Sequence, residues 1–228
     1  MSLRTTSLFF CTSLFFCTLA LVVMVADQAQ AQQRRRPWRF YSDTYSVGVA
    51  LLQVEKVQAE LDLNSDQIAK ATEIGEKLSE DRREVYSGLS REEWRERGDE
   101  LRKETAELAK TAATTIAESL DDTQKQRWLE VTLQVRGPAA LPGEHLAEHL
   151  KLDDVQTKKL IDLTNAQREK MFELFRQSRD QGLSREEGFE KFTALVEETN
   201  KERLAVLSDE QKTVFKEFQG EKFELPEE

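Results

Sequence analysis

Leu63-Asn64-Ser65-Asp66-Gln67, Leu120-Asp121-Asp122-Thr123-Gln124, Leu152-Asp153-Asp154-Val155-Gln156 and Leu207-Ser208-Asp209-Glu210-Gln211 are four copies of one pattern, Leu-[Asn/Asp/Ser]-x-x-Gln. Each reads as a helix start. Asn64, Asp121, Asp153 and Ser208 stand at the N-cap, where a side-chain oxygen accepts a hydrogen bond from an otherwise unpaired backbone N–H. Gln67, Gln124, Gln156 and Gln211 follow at the spacing that lets a side chain reach back to the cap's own N–H and close a capping box. Gly-Leu-Ser-Arg-Glu-Glu carries the same device. It occurs unchanged at 88–93 and 182–187, so that Ser90 pairs with Glu93 and Ser184 with Glu187. Six helix starts are thus written into the chain, each cap contributing about 0.5–2 kcal/mol.

The two patterns recur in one order in each half of the chain. The hexapeptide copies lie 94 residues apart, the first and third quintets 89 apart, and the second and fourth 87 apart. An ordered recurrence of this kind marks an internal duplication. Between the starts the apolar residues have helical period. Ile68, Ala71, Ile74, Leu78 and Val85 share a face, as do Trp94, Leu101, Thr105, Leu108, Ala112 and Ile116. Leu160, Leu163, Met171, Leu174 and Phe175 match the first set, and Phe189, Phe192, Leu195 and Val196 the second. Short helices carrying Trp128 and Phe215, each four residues after its Gln, close the two halves, and a further helix is expected near Val47–Leu61. Gly88 and Gly182 are C-cap positions, where a left-handed φ favours glycine. Arg136-Gly137-Pro138-Ala139-Ala140-Leu141-Pro142-Gly143 is the strong break between units. The leucine ahead of each cap has a staple partner only at Leu63, in Ile68; Leu120, Leu152 and Leu207 are expected to pack into a neighbouring helix. The fold class is all-α: two tandem helical-hairpin units of long amphipathic helices, at 47–136 and 139–223, elongated or cradle-shaped.

Composition agrees. Of 228 residues 33% are charged, 9 are Gly and 4 are Pro, with a mean hydropathy of −0.61, which suits long helices each burying one stripe. Residues 1–31 read as a signal peptide: Arg4, an apolar run from Leu8 to Ala26, and Ala29-Gln30-Ala31 as the cleavage site. The protein is therefore expected to be exported and periplasmic. The alternative is a membrane anchor left uncleaved, since the run is long for a signal peptide. Cys11 and Cys17 both lie in that run, so the mature chain is expected to have no disulfide and no thiolate. Residues 32–46 form a basic, aromatic lead, and Arg34–Arg39 could touch an anionic membrane, although a solvated tail is the plainer reading. The net charge of −10 argues against nucleic acid as a partner.

No catalytic set can be assembled, and the chain reads as non-enzymatic with no cofactor. His145 and His149 sit four apart on one helical face and, with Glu148, spell His-x-x-Glu-His. They are weak metal candidates. Nothing marks a third ligand, and the equivalent residues of the first half are Lys56 and Glu60. A solvated helix face is the expected role. Trp94, Trp128 and the phenylalanines are expected to be core more often than contact surface.

The four quintets, set around long helical hairpins in a small exported chain, resemble the Leu-Thr-x-x-Gln motif of the Spy/CpxP family. The likeness covers most of residues 47–223. It departs at the second position, where Asn64, Asp121, Asp153 and Ser208 replace Thr but can still cap. The family is bacterial and periplasmic. It includes a cradle-shaped ATP-independent chaperone, an inhibitor of an envelope-stress sensor kinase, and zinc-associated relatives. In the chaperone two chains carry two motifs each, so the resemblance implies a single-chain counterpart of that dimer, a pseudo-dimer whose own oligomeric state stays open. The chaperone's concave face is basic, whereas this chain is acidic. The implied function is binding of unfolded or envelope proteins without ATP, in a chaperone or stress-response role. The alternatives are a zinc- or metal-responsive periplasmic protein and a non-catalytic structural envelope protein.

Overall fold

A computed structural model describes residues 43–224, all of which lie within one compact unit. The expected signal peptide, both cysteines and the basic lead Arg34–Arg39 lie outside the described residues. The protein is all-α, with no strand among the described residues. In chain order the helices are α1 (Thr44–Leu51), α2 (Glu55–Glu60), α3 (Ser65–Tyr86), α4 (Arg91–Glu96), α5 (Gly98–Ala117) and α6 (Asp122–Arg136). A 3-10 turn follows at Gly137–Ala140, then α7 (Glu144–His149), α8 (Asp154–Gln181), α9 (Arg185–Val206) and α10 (Asp209–Phe218).

The helix starts follow from local chemistry. All six boxes close in both directions, at α3, α4, α6, α8, α9 and α10. Gly182 ends α8 in the left-handed conformation, and Gly88 (φ 72°) lies one residue past the cap of α3. Each makes the turn of a hairpin: α3 returns through α4 and α5, and α8 returns through α9. Two left-handed residues are not glycine. Asp62 and Lys151 (φ 49° and 50°) occupy equivalent places just ahead of Leu63 and Leu152. There the Leu63 N–H donates to Gln58 O at 3.0 Å and the Leu152 N–H to Ala147 O at 2.9 Å. This is the wide return bond of a Schellman ending, and it stops α2 and α7.

Two expected helices are broken. The Val47–Leu61 segment divides into α1 and α2 across Leu52–Val54. The segment after Ser90 divides into α4 and α5 at Arg97, whose backbone leaves the helical region ahead of Gly98. The break at Arg97 has no counterpart in the second half, where α9 runs unbroken for 22 residues.

Two buried clusters hold the unit together. The first joins α1 (Val47, Leu51), α2 (Val57), α3 (Ala71, Leu78), α5 (Ala109, Ile116) and α6 (Trp128, Val131). Trp128 is fixed by its indole Nε1, which donates to Gly48 O at 2.9 Å. Gly48 has a reason to lack a side chain, because a Cβ there would stand 3.3 Å from the Trp128 ring. The second cluster joins α6 (Leu133), the 3-10 turn (Ala140), Leu141, α7 (Leu146), α8 (Leu160), Leu207 and α10 (Phe215). Full burial of each such side chain contributes about 1.5–3 kcal/mol. Helix α6 serves both clusters, with Trp128 and Val131 on one side and Leu133 on the other.

The chain end crosses back over α6. Gln134 Nε2 donates to Gln219 O at 2.6 Å and to Glu221 O at 2.7 Å, and the Phe223 N–H donates to Gln134 Oε1 at 2.8 Å. Arg127 Nη1 donates to Glu221 O at 2.8 Å. Phe223 then packs against the first cluster, with Lys56 Nζ 5.6 Å above its ring.

Candidate functional site

The structure brings the four quintets together two by two. In the first half, Gln67 Oε1 accepts from the Asn64 N–H (3.0 Å) while its Nε2 donates to Gln124 Oε1 and to Ser119 O, each at 2.8 Å. Gln124 does the same in return: Oε1 takes the Asp121 N–H (3.0 Å), and Nε2 donates to Leu61 O (3.2 Å) and Gln67 Oε1 (3.3 Å). The second half repeats the arrangement. Gln156 Nε2 reaches Val206 O (2.9 Å) and Gln211 Oε1 (2.8 Å), and Gln211 Nε2 reaches Leu150 O (3.2 Å) and Gln156 Oε1 (3.1 Å). Each glutamine therefore caps its own helix and fills an open carbonyl at the end of the partner segment. That double task needs an amide. A carboxylate could close the box but has no N–H to give. The two hexapeptide turns have no such partner, and there Glu93 and Glu187 serve. Ser90 and Ser184 hold these carboxyls below the ordinary range by donating to them. The leucines ahead of the caps lie inward: Leu120 and Leu207 are core, and Leu63 and Leu152 pack against it half-buried. The leucines, caps and glutamines of the four quintets, twelve residues, are thus a structural interlock, while Ser90 with Glu93 and Ser184 with Glu187 cap their own helices.

His145 and His149 do not converge on a third ligand, and no group of three His, Cys, Asp or Glu among the described residues could hold a metal. Both face Phe218 on α10. His149 stacks on the ring at 3.9 Å with the planes 17° apart, and His145 lies 6.0 Å away and tilted.

The unusual surface is the second hairpin. From Ile161 on α8 to Glu198 on α9, none of the described side chains is fully buried. Phe172, Phe175 and Phe189 are exposed by 64%, 59% and 53%, and Ile161 by 44%. An open groove of about 530 Å³ runs between the helices, lined by Leu174, Leu195 and Gln177 among Glu169, Glu173 and Lys191. In the first half the aromatic surface is smaller. Trp94 is 49% exposed and lies 4.8 Å from Tyr86, centroid to centroid. Core placement of these aromatics, the commoner fate by residue type, holds for Trp128 and Phe215 and fails for Trp94, Phe172, Phe175 and Phe189. The hairpins meet at Asp99 of α5, which pairs with Arg102 and lies 3.8 Å from Arg168 of α8.

One feature was not read from the sequence. Arg203, on α9, is 1% exposed and makes no ion pair among the described residues. Its pKa is pushed down to about 10, first by burial and then by the charge of Arg136, against a weaker pull from Glu202. The signal was available in the repeat, because the residue 87 places earlier is Ile116, a core residue.

Comparison with known proteins gives no match to a family model, a curated protein or a solved structure. No helix among the described residues is long and apolar enough to cross a membrane.

Proposed function

We propose that this is an exported, ATP-independent binding protein of Spy/CpxP type that holds unfolded or envelope polypeptides against its second hairpin. The reading is supported chiefly by the face of α8 and α9, where Phe172, Phe175, Phe189 and Ile161 are partly exposed among Glu, Lys and Arg side chains. Apolar groups dispersed among charges make many weak contacts, which suit transient capture of an extended or collapsing chain. The hairpin is held at its base by the Gln156–Gln211 pair, and along 161–198 none of its described side chains is fully buried, so its face is available to what it holds.

The acidic character of the chain narrows the partner. At a net charge of −10 it favours basic or neutral polypeptides over acidic ones, with the preference falling as salt rises. The test is suppression of aggregation of an exported, reduction-sensitive client. An equimolar amount of the protein is expected to delay aggregation, and the triple substitution Phe172→Ser, Phe175→Ser, Phe189→Ser is expected to remove most of the delay while leaving the helical content unchanged. Equal protection by the wild type and the triple variant would refute the assignment to this face, and no protection by either would refute the holding function.

A further inference from the structure

The segment that follows α10, Gln219–Glu224, is held on α6 chiefly by its main chain. Gln134 Nε2 donates to Gln219 O at 2.6 Å and to Glu221 O at 2.7 Å, and Gln134 Oε1 accepts from the Phe223 N–H at 2.8 Å. Arg127 Nη1 donates to Glu221 O at 2.8 Å. Arg127 is itself fixed in place: Glu60 of α2 accepts from its Nε at 2.7 Å, and Glu130 accepts from its Nη1 at 2.9 Å. A glutamine amide offers a donor and an acceptor side by side, as a peptide group does. The side chains between take little part. Glu221, Lys222 and Glu224 are exposed, and Lys222 pairs with Glu224 at 2.8 Å inside the segment. Gln219 adds one long bond, from Nε2 to Leu133 O at 3.4 Å.

Two positions do restrict the sequence. Gly220 has a φ of 65°, and a Cβ there would overlap the Glu130 carboxylate. Phe223 is half-buried against the first cluster, with Lys56 Nζ 5.6 Å from its ring centroid. The fit therefore asks for Gly, then Phe three residues on, and is indifferent to what stands between. Main-chain bonds that hold and side-chain pockets that select are the division of labour by which a sheet edge takes an added peptide; here the side chains of a helix replace the edge. The duplication does not account for this arrangement. Counting 87 residues on from Arg127 gives Val214, and from Gln134 gives Glu221, which lies in the bound segment itself. Arg127 and Gln134 are explained by the segment they hold.

We propose that α6 and α2 carry a peptide-binding site for segments of the form Gly-x-x-Phe, with Gln219–Glu224 as its resident ligand, displaced when another polypeptide presents the same sequence. Helix α6 supplies Gln134 and Arg127 for the main chain, and α2 supplies Lys56 for the aromatic ring and Glu60 to hold Arg127. The resident segment lies on the surface, past the end of α10, and among Gly220–Glu224 only Phe223 is covered. Its departure frees the main-chain partners and the ring site together. Being tethered, it screens the site against weak or dilute competitors. This inference does not depend on the client-holding reading, since it concerns α6 and α2 and not the exposed face of α8 and α9.

The experiment uses the full mature chain carrying Gly220→Val and Phe223→Ser, which spoil the resident segment at both demanding positions, and a synthetic peptide of Gln219–Glu224 with blocked ends. Binding is followed by nuclear magnetic resonance at the Gln134 side-chain amide, so that capture on α8 and α9 does not register. The variant is expected to bind the peptide with a Kd on the order of 0.1 mM. The wild type is expected to bind about tenfold more weakly or worse, because a tethered ligand competes at an effective concentration of about 1 mM or above. Peptides carrying Gly220→Val or Phe223→Ser are expected to lose about tenfold against the native one. If circular dichroism shows that the double variant has lost helix, the wild type decides: the native peptide at about 5 mM is expected to move the Phe223 amide of the chain, and the Gly220→Val peptide to leave it in place. No response to the native peptide, in the folded variant or in that wild-type titration, would overturn the proposal. So would equal responses to native and substituted peptides, or equal affinity of wild type and variant.

Discussion

The two hairpins begin and end with the same devices, yet the first closes on a core and the second stays open. Along α5 burial continues through Leu101, Thr105, Ala109, Ala112 and Ile116, because α1 lies across α5 and α6 as a third helix. The equivalent stretch of the second half is Leu133-Gln134-Val135-Arg136-Gly137-Pro138-Ala139-Ala140. There Gly137 (φ 55°) ends α6 and opens a four-residue 3-10 turn that has Pro138 in its first turn, so α8 and α9 receive a turn in place of a helix. A dozen residues that are not part of either hairpin thus decide whether a hairpin becomes a packed bundle or an exposed pair of helices. The caps set where helices begin, and the cover sets what they bury.

The largest effect is expected from moving charge across the comparison. Ile116→Arg would place a guanidinium in the first cluster with nothing evolved to receive it, at a cost of about 3–5 kcal/mol or more. Arg203→Ile in the second half would be neutral or stabilising by about 1–4 kcal/mol. Urea unfolding of both variants reads the contrast directly, and equal losses would mean that the two interiors are not different in kind. Next in size is the interlock. Gln67→Glu and Gln156→Glu keep the capping box but lose the donors to the opposite segment, and each is expected to cost about 1–3 kcal/mol. Glu93→Gln at the hexapeptide turn has no cross-partner to gain or lose and should change stability by less than about 0.5 kcal/mol.

Smaller than the interlock losses, and of opposite sign, are the effects at the two left-handed helix ends. Asp62→Gly and Lys151→Gly relieve a strained φ and are each expected to stabilise by about 0.5–1 kcal/mol, read as an upward shift of the urea midpoint. The smallest effect separates the Glu boxes from the Gln boxes. The folded-state pKa of Glu187 is depressed below its ordinary 4.5, chiefly by the Ser184 N–H and hydroxyl. Its contribution is therefore complete above that ordinary value and is lost as pH falls through the lowered one. In an acid titration followed by nuclear magnetic resonance, the Ser184 amide is expected to shift with Glu187, whereas the Asn64 amide, bonded to the neutral Gln67, should show no step from its own box.

The helix starts were legible because capping is a contract between neighbours in sequence. Ser, Asp or Asn with Glu or Gln at the right spacing is sufficient, and all six positions follow. The duplication was legible for the same reason. The breaks were not: Leu52–Val54 has no Gly or Pro, and Arg97 becomes non-helical only where α4 must turn into α5. Nor did period alone tell which apolar stripes find a cover. Leu174 and Phe175 fit the helical repeat as well as Leu78 does, but what lies opposite them is fixed by chain far away. The second bond of each glutamine is likewise non-local, spanning 50 residues or more, and no spacing rule announces it. Arg203 could have been found by laying one half over the other and asking which core positions change character.

The crossing of the last residues over α6 has a consequence for how the molecule is made. Phe223, half-buried, packs against a cluster whose other members were synthesised long before, and Gln134 holds the segment that carries it. The packing of the first cluster against Phe223 therefore forms only after residue 223 has been made. That contact couples parts of the chain 89 residues apart through one hydrogen bond, so the first cluster is sealed by a segment that belongs, in sequence, to the second half.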